Sequence, residues 1–220
     1  MTRTSAAETA LRARIVAAAR GMNARGINAG ASGNVSARWG AGLLVTPSGM
    51  DYAAMAPGDI VAMRADGTAS GGRPSSEWRF HRDILAARPE IGAVLHCHAV
   101  HATALACHGR GMPAFQYMVA LAGGQDIRCA PYATFGTQAL SDAVLGALEG
   151  RRACLMAHHG MVVLGASPEA ALALAVEVET LARMYLAAHA LGSPPVRGPG
   201  EMARVSEAMA ARGYGPAPGA

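Results

Sequence analysis

Ile91-Gly92-Ala93-Val94-Leu95-His96-Cys97-His98 carries an apolar run straight into two histidines that flank one cysteine. The apolar part predicts a buried strand. Side chains on a strand alternate faces with period two, so His96 and His98 point one way and Cys97 the other. Two neutral imidazoles side by side on a rigid element suit Zn²⁺. A catalytic zinc needs three protein ligands and an open position, so further donors must come from elsewhere in the chain.

A second histidine cluster, Ala157-His158-His159-Gly160, follows the apolar run Ala153-Cys154-Leu155-Met156. Neighbouring strand residues face opposite ways, so one of His158 and His159 is expected at the metal. Glu77 in Pro74-Ser75-Ser76-Glu77 is the acidic candidate, and His81, four residues on, shares its helix face. A Glu77/His81 metal pair is the lesser alternative. As a first-turn acid, Glu77 would otherwise only complement the helix dipole. His101 and His108 are expected to stay off the metal.

All nineteen basic residues are arginines. Without a lysine there is no side-chain amine for a Schiff base and no P-loop, so carbanion chemistry would need a metal or an added cofactor. The net charge of +4 comes without a basic run longer than Arg151-Arg152, which excludes a nucleic-acid stripe and favours a small anionic substrate. No apolar stretch reaches membrane-spanning length. Cys97, Cys107, Cys129 and Cys154 have no Cys-x-x-Cys spacing and apolar surroundings, so free buried thiols in the cytoplasm are expected.

The 220 residues fit one domain. Leu11, Ile15, Ala18 and Met22 line one face of a first helix over Ala6 to Met22. Short strands follow at 35–38, 42–45 and 60–63, joined by tight turns that imply antiparallel pairing. A helix capped by serine runs from Ser75 through Ala87. Further helices are expected at 99–108, 137–148 and 167–191, a strand at Pro113 to Met118, and a hairpin at 153–164. Gly192 to Gly200 reads as a linker to a short last helix, and 213–220 as a mobile tail. The expected fold class is α/β with an α+β-like order: a central mixed or antiparallel sheet flanked by helices.

Three loops, Gly33-Asn34, Thr46-Pro47-Ser48-Gly49 and Pro74-Ser75-Ser76, combine glycine with small polar side chains. Such loops near a helix start can cradle an anion without lysine, although each alone is an ordinary turn. Tyr117 is either core packing or a phenolic proton donor. Tyr214 in the tail could fold over a site.

These loops, with Pro74-Ser75-Ser76-Glu77-Trp78-Arg79-Phe80-His81, His96-Cys97-His98-Ala99-Val100-His101, Tyr117-Met118, Ala130-Pro131-Tyr132-Ala133-Thr134-Phe135-Gly136-Thr137 and His158-His159-Gly160, stand in an order that resembles the class II aldolase family, nearest its fuculose-phosphate branch. The resemblance implies one Zn²⁺ per subunit on His96, His98 and His159. Glu77 would be a fourth ligand at rest and the base once substrate displaces it. Gly33, Asn34, Ser48, Gly49, Ser75 and Ser76 would hold the phosphate of dihydroxyacetone phosphate. Tyr117 of a neighbouring subunit would protonate the aldehyde oxygen. Tyr214 would join it, and Phe135 would shape the aldehyde side.

The resemblance further implies a homotetramer with sites between subunits. The reaction would be reversible cleavage of a ketose 1-phosphate such as L-fuculose 1-phosphate to dihydroxyacetone phosphate and a short aldehyde such as L-lactaldehyde. The ion would polarise the carbonyl and stabilise the enediolate. A pentulose-phosphate 4-epimerase, an aldolase for another deoxyketose phosphate, and a non-catalytic interaction module are the alternatives. Glu77 favours the aldolases, since epimerases of the family typically carry aspartate there. Cys97 stands where asparagine is common, and Gln116 where a histidine is.

Overall fold

The computed structural model describes residues 5–214. The elements are α1 (Ala6–Ala24), β1 (Asn34–Trp39), β2 (Gly42–Val45), β3 (Val61–Met63), β4 (Ala69–Ser70), α2 (Trp78–Ala87), β5 (Ala93–Cys97), α3 (Val100–Cys107), β6 (Met112–Pro113), β7 (Asp126–Ala130), α4 (Gln138–Ala147), β8 (Ala153–Met156), β9 (Gly160–Gly165), α5 (Pro168–Ala188) and α6 (Pro199–Ala211). The strands form one mixed sheet in the order β4-β3-β2-β1-β5-β9-β8-β7-β6. Its pairs are antiparallel except β7 with β8, which α4 joins as a crossover.

Period two sorts the two faces. Leu95 and Cys97 of β5 pack in the core beneath α1, α3 and α5, whereas Val94 packs in a second core beneath α2 and α4. His96 has the parity of Val94 and so points to the α2 side, where its ring meets the edge of Phe80. Both faces of β5 are covered, and all five of its residues are buried. That explains why the strand reads as a continuous apolar run rather than an alternating one.

Helix starts follow their caps. The Ser5 side chain accepts from Glu8 N at 3.1 Å, and Ser167 from Ala170 N at 3.3 Å with Pro168 in the first turn. The start of α2 differs from expectation. Helical geometry begins at Trp78, Glu77 takes the N-cap place, and Ser75 Oγ instead accepts from Glu77 N at 3.3 Å in the preceding turn. The expected strand over 113–118 shrinks to Met112–Pro113, and Tyr117–Ala122 winds as a 3₁₀ helix. Gln116 drives this change by accepting from Met118 N at 2.5 Å as a side-chain cap. The strand Asp126–Ala130 was not expected; its alternate charged residues suit a strand close to the sheet edge.

Cys107 is exposed and Cys129 half-buried, so only Cys97 and Cys154 meet the expectation of buried thiols. No helix among the described residues is long and apolar enough to cross a membrane. Of the expected tail, residues 215–220 lie outside the described residues. Tyr214 is tied by its backbone N–H to Met209 O at 2.8 Å.

Candidate active site

Three loops converge on one histidine cluster. His96 is the penultimate residue of β5, His98 directly follows the strand, and His159 sits in the turn between β8 and β9. One donor nitrogen from each lies within 4.8 Å of the others. His158 holds a left-handed conformation, φ 56°, in the turn that aims His159 inward while His158 itself is exposed. The selection of one histidine from this pair thus arises from a turn and not from strand alternation. Gly160 completes the turn: a Cβ there would stand 2.7 Å from Cys97 O and 2.8 Å from His98 Cδ2.

The proton on His96 is fixed by its partner. Its Nδ1 lies 2.9 Å from Met161 O, and a carbonyl only accepts, so Nδ1–H donates and Nε2 keeps its lone pair. That Nε2 lies 3.1 Å from His98 Nε2 and 3.2 Å from Glu77 Oε2. Burial, then the charge of His98, drives the His96 pKa down to about 3, which keeps the ring neutral. Burial lowers His98 and His159 as well, with Glu77 opposing both shifts. The His96–Glu77 contact is therefore no ion pair: two acceptors face each other.

Glu77 is buried. Its Oε2 accepts from Asn34 Nδ2 at 2.9 Å, whereas Oε1 takes no hydrogen bond among the described residues and lies 3.3 Å from His159 Nε2. An orphaned carboxylate oxygen and imidazole lone pairs aimed at one another are what a cation would satisfy. The spacing agrees, since nitrogens bound to a tetrahedral zinc at about 2.0–2.1 Å stand roughly 3.3 Å apart. The residues present fit a divalent metal.

The three small-residue loops also come together. Ser75 N donates to Thr46 O at 3.0 Å, Ser48 N to Arg73 O at 3.1 Å, and Val35 N to Thr46 Oγ1 at 3.2 Å. Gly49 and Ser76 are exposed at the mouth of this assembly. Tyr52, whose hydroxyl donates to Gly33 O, and Asn28, which accepts from His98 N at 3.4 Å, tie the Gly33 loop to the end of β5. Gly33 lies so close that a Cβ would meet His96 O at 2.6 Å. Neither Tyr52 nor Asn28 was singled out from sequence; Asn28 opens the glycine-rich turn, and Tyr52 gives no local signal.

Asn34 departs from a simple phosphate ligand. Its amide is buried, with Oδ1 2.5 Å from His81 Nε2 and Nδ2 on Glu77. His81 is no metal ligand, because Ser36 Oγ holds its other nitrogen at 2.7 Å. His101 is also engaged elsewhere, with Nδ1 2.7 Å from Glu179.

Tyr117 and Tyr214 are exposed and line a separate cavity of about 480 Å³ with Met118, Leu121, Val205 and Met209. None of the cluster histidines lines it. Phe135 is exposed on a loop held beside Ser76, where Arg79 Nη1 donates to Gly136 O at 2.5 Å.

Residues 13–186 match the family model described as Class II Aldolase and Adducin N-terminal domain. A 5-methylthioribulose-1-phosphate/5-deoxyribulose-1-phosphate aldolase of Rhodospirillum rubrum is 54% identical over 90% of this chain and 90% of its own. An L-fuculose phosphate aldolase of Escherichia coli is 47% identical over 84% of this chain and 87% of its own. A solved L-fuculose 1-phosphate aldolase superposes with a TM-score of 0.88 at 34% identity, covering 91% of this chain and 96% of that one. The chain belongs to the class II aldolase family and is an aldolase.

Proposed function

We propose that this aldolase cleaves a 5-deoxy or 5-methylthio pentulose 1-phosphate to dihydroxyacetone phosphate and a short aldehyde. One Zn²⁺ on His96, His98 and His159 would serve it, with Glu77 as resting ligand and base. The observation that carries the reading is the buried carboxylate whose free Oε1 faces the imidazole cluster beside the hydroxyl-lined loops. When bound, the ion supplies a Lewis acid that polarises the substrate carbonyl.

Glu77 Oε1 accepts the proton from the hydroxyketone carbon and returns it there. Gly33, Ser48, Gly49, Ser75 and Ser76 present backbone and hydroxyl donors to the phosphate, and Asn34 adds its second amide hydrogen. In condensation Tyr117 gives its phenolic proton to the aldehyde oxygen, and in cleavage its phenolate takes that proton back from the C4 hydroxyl. Because Tyr117 and Tyr214 lie on a wall without cluster histidines, they serve the site of a neighbouring copy, as a homotetramer with interfacial sites requires. Phe135 borders the aldehyde. The four free cysteines suit a cytoplasmic protein.

Two features favour an apolar aldehyde. Gln116 turns its side chain back onto Met118 N, where family members commonly carry an imidazole. Met118, Leu121, Val205 and Met209 give Tyr117 an apolar border. The relative at 54% identity is named for 5-methylthioribulose 1-phosphate and 5-deoxyribulose 1-phosphate. A second reading, L-fuculose 1-phosphate, is supported by the relative at 47% identity and by the solved neighbour.

The test is kcat/KM for all three ketose 1-phosphates with dihydroxyacetone phosphate as the measured product. A preference for the 5-methylthio or 5-deoxy substrate supports the first reading. A preference for L-fuculose 1-phosphate selects the second. C4 epimerisation without release of a three-carbon phosphate rejects both.

A further inference from the structure

Behind Glu77 lies a buried row of polar side chains: Ser36, His81, Asn34 and Glu77 itself. Each is at most 5% exposed. The contacts are Ser36 Oγ to His81 Nδ1 at 2.7 Å, His81 Nε2 to Asn34 Oδ1 at 2.5 Å, and Asn34 Nδ2 to Glu77 Oε2 at 2.9 Å. An ionised carboxylate only accepts, so Asn34 must turn its NH₂ to Glu77. Its Oδ1 is then left for His81, which must donate from Nε2. Nδ1 becomes the acceptor, and Ser36 must donate to it. One arrangement of protons satisfies every contact in the row.

Three places in the fold position the four members: β1 holds Ser36 and Asn34, α2 holds His81, and the turn before α2 holds Glu77. His81 stacks on Phe80 with ring centroids 4.6 Å apart, which fixes the plane of the imidazole. We propose that His81, oriented by Ser36, is a positioning residue for the aldolase reaction. Through Asn34 it anchors Glu77 Oε2 and so leaves Oε1 as the oxygen that carries the proton. The inference rests on the reading of Glu77 as base. In the reverse arrangement, with Asn34 flipped, an amide oxygen would face the carboxylate and Glu77 would lose the side-chain donor that Asn34 supplies. Satisfied buried networks of this kind specify a single geometry, and partly satisfied ones lose it.

The experiment follows exchange of the hydroxyketone proton of dihydroxyacetone phosphate in D₂O by the zinc-loaded enzyme, alongside ¹⁵N NMR of its histidines with and without zinc. Glu77→Gln abolishes exchange. His81→Leu lowers the exchange rate about tenfold to a hundredfold, the usual cost of losing a residue behind a catalytic ligand, with KM unchanged. His81→Gln, whose amide nitrogen can take the place of Nε2, restores most of the rate. Ser36→Ala lowers it less than His81→Leu. In the wild type the NMR spectrum shows His81 protonated at Nε2 and bare at Nδ1.

Full exchange in His81→Leu with Glu77→Gln inactive overturns the positioning role alone. Full exchange in Glu77→Gln overturns the base reading and the inference with it. Should His81→Leu not fold, the tautomer decides: a proton on Nδ1 overturns the network.

Discussion

Gly160 leaves no room for a side chain beside His98: a methyl group on its Cα would stand 2.8 Å from His98 Cδ2 and 2.7 Å from Cys97 O. The carbonyl belongs to the backbone and cannot rotate aside. Gly160→Ala must therefore push β9 and β5 apart at the point where the histidine cluster leaves the sheet. Overpacking of this kind costs about 1–3 kcal/mol. The expected outcome is a lower unfolding midpoint together with weaker zinc binding, checked by calorimetry and by titration with a chromophoric chelator. Unchanged zinc affinity would show that the ligand geometry does not depend on this close approach.

Removal of the metal tests the cluster as a whole. His96 Nε2 and Glu77 Oε2 oppose each other at 3.2 Å as acceptors, so the metal-free pocket is electrostatically unfavourable. Dialysis against a strong chelator should abolish cleavage, and stoichiometric Zn²⁺ should restore it. A ligand at a thousand times its Kd adds about 4 kcal/mol, and each kcal/mol shifts the midpoint of a chain this size by about 2–4 °C. A large rise in Tm on adding Zn²⁺ is expected, and it should vanish in His159→Ala. Activity that survives chelation contradicts the assignment of the site.

The contrast between His96 and His81 shows how far the sequence could be read. His96 and His98 were legible as neighbours because a buried strand imposes period two, and their donor nitrogens do cluster with that of His159. Glu77 and the three loops were legible as a resemblance, and the backbone contacts between Thr46 and Ser75 show how they meet. His81 carried a signal, its four-residue spacing from Glu77, yet spacing does not say whether an imidazole binds a metal or a hydrogen-bond partner. Ser36 and Asn34 decide that from another strand. The Tyr117 segment was misread because one side chain, Gln116, caps a 3₁₀ turn inside an apolar run. Tyr52 reaches Gly33 across a loop, which no local pattern announces.

Burial gives His81 a measurable pH signature. Desolvation, followed by the nearby His96, lowers its pKa from 6.5 to about 3 in the folded protein. The unfolded chain binds a proton that the folded one refuses, so stability is fully present above about pH 6.5 and is lost as pH falls toward 3. One such proton is worth about 1.4 kcal/mol per pH unit. Urea unfolding of the metal-free protein between about pH 6.5 and pH 4.5 should show a slope that His81→Gln reduces by one proton. Equal slopes in the two proteins would mean that His81 is protonated in the fold.

Tyr117 offers the sharpest test of a shared site. Its phenol is 55% exposed and lines a cavity without any cluster histidine. Tyr117→Phe should therefore leave stability within about 0.5 kcal/mol of the wild type, as exposed substitutions usually do. On the proposed roles it should lower ketose cleavage while sparing proton exchange at dihydroxyacetone phosphate, because exchange would need Glu77 and not the aldehyde-side acid. Glu77→Gln should be inactive by the opposite route. If each site takes Glu77 from one copy and Tyr117 from its neighbour, refolding an equal mixture of the two variants assembles intact sites. Random assortment across an interface between copies makes them about one quarter of the total. Were both residues to serve the same subunit's site, no mixture of the two would cleave substrate faster than its share of Tyr117→Phe does alone.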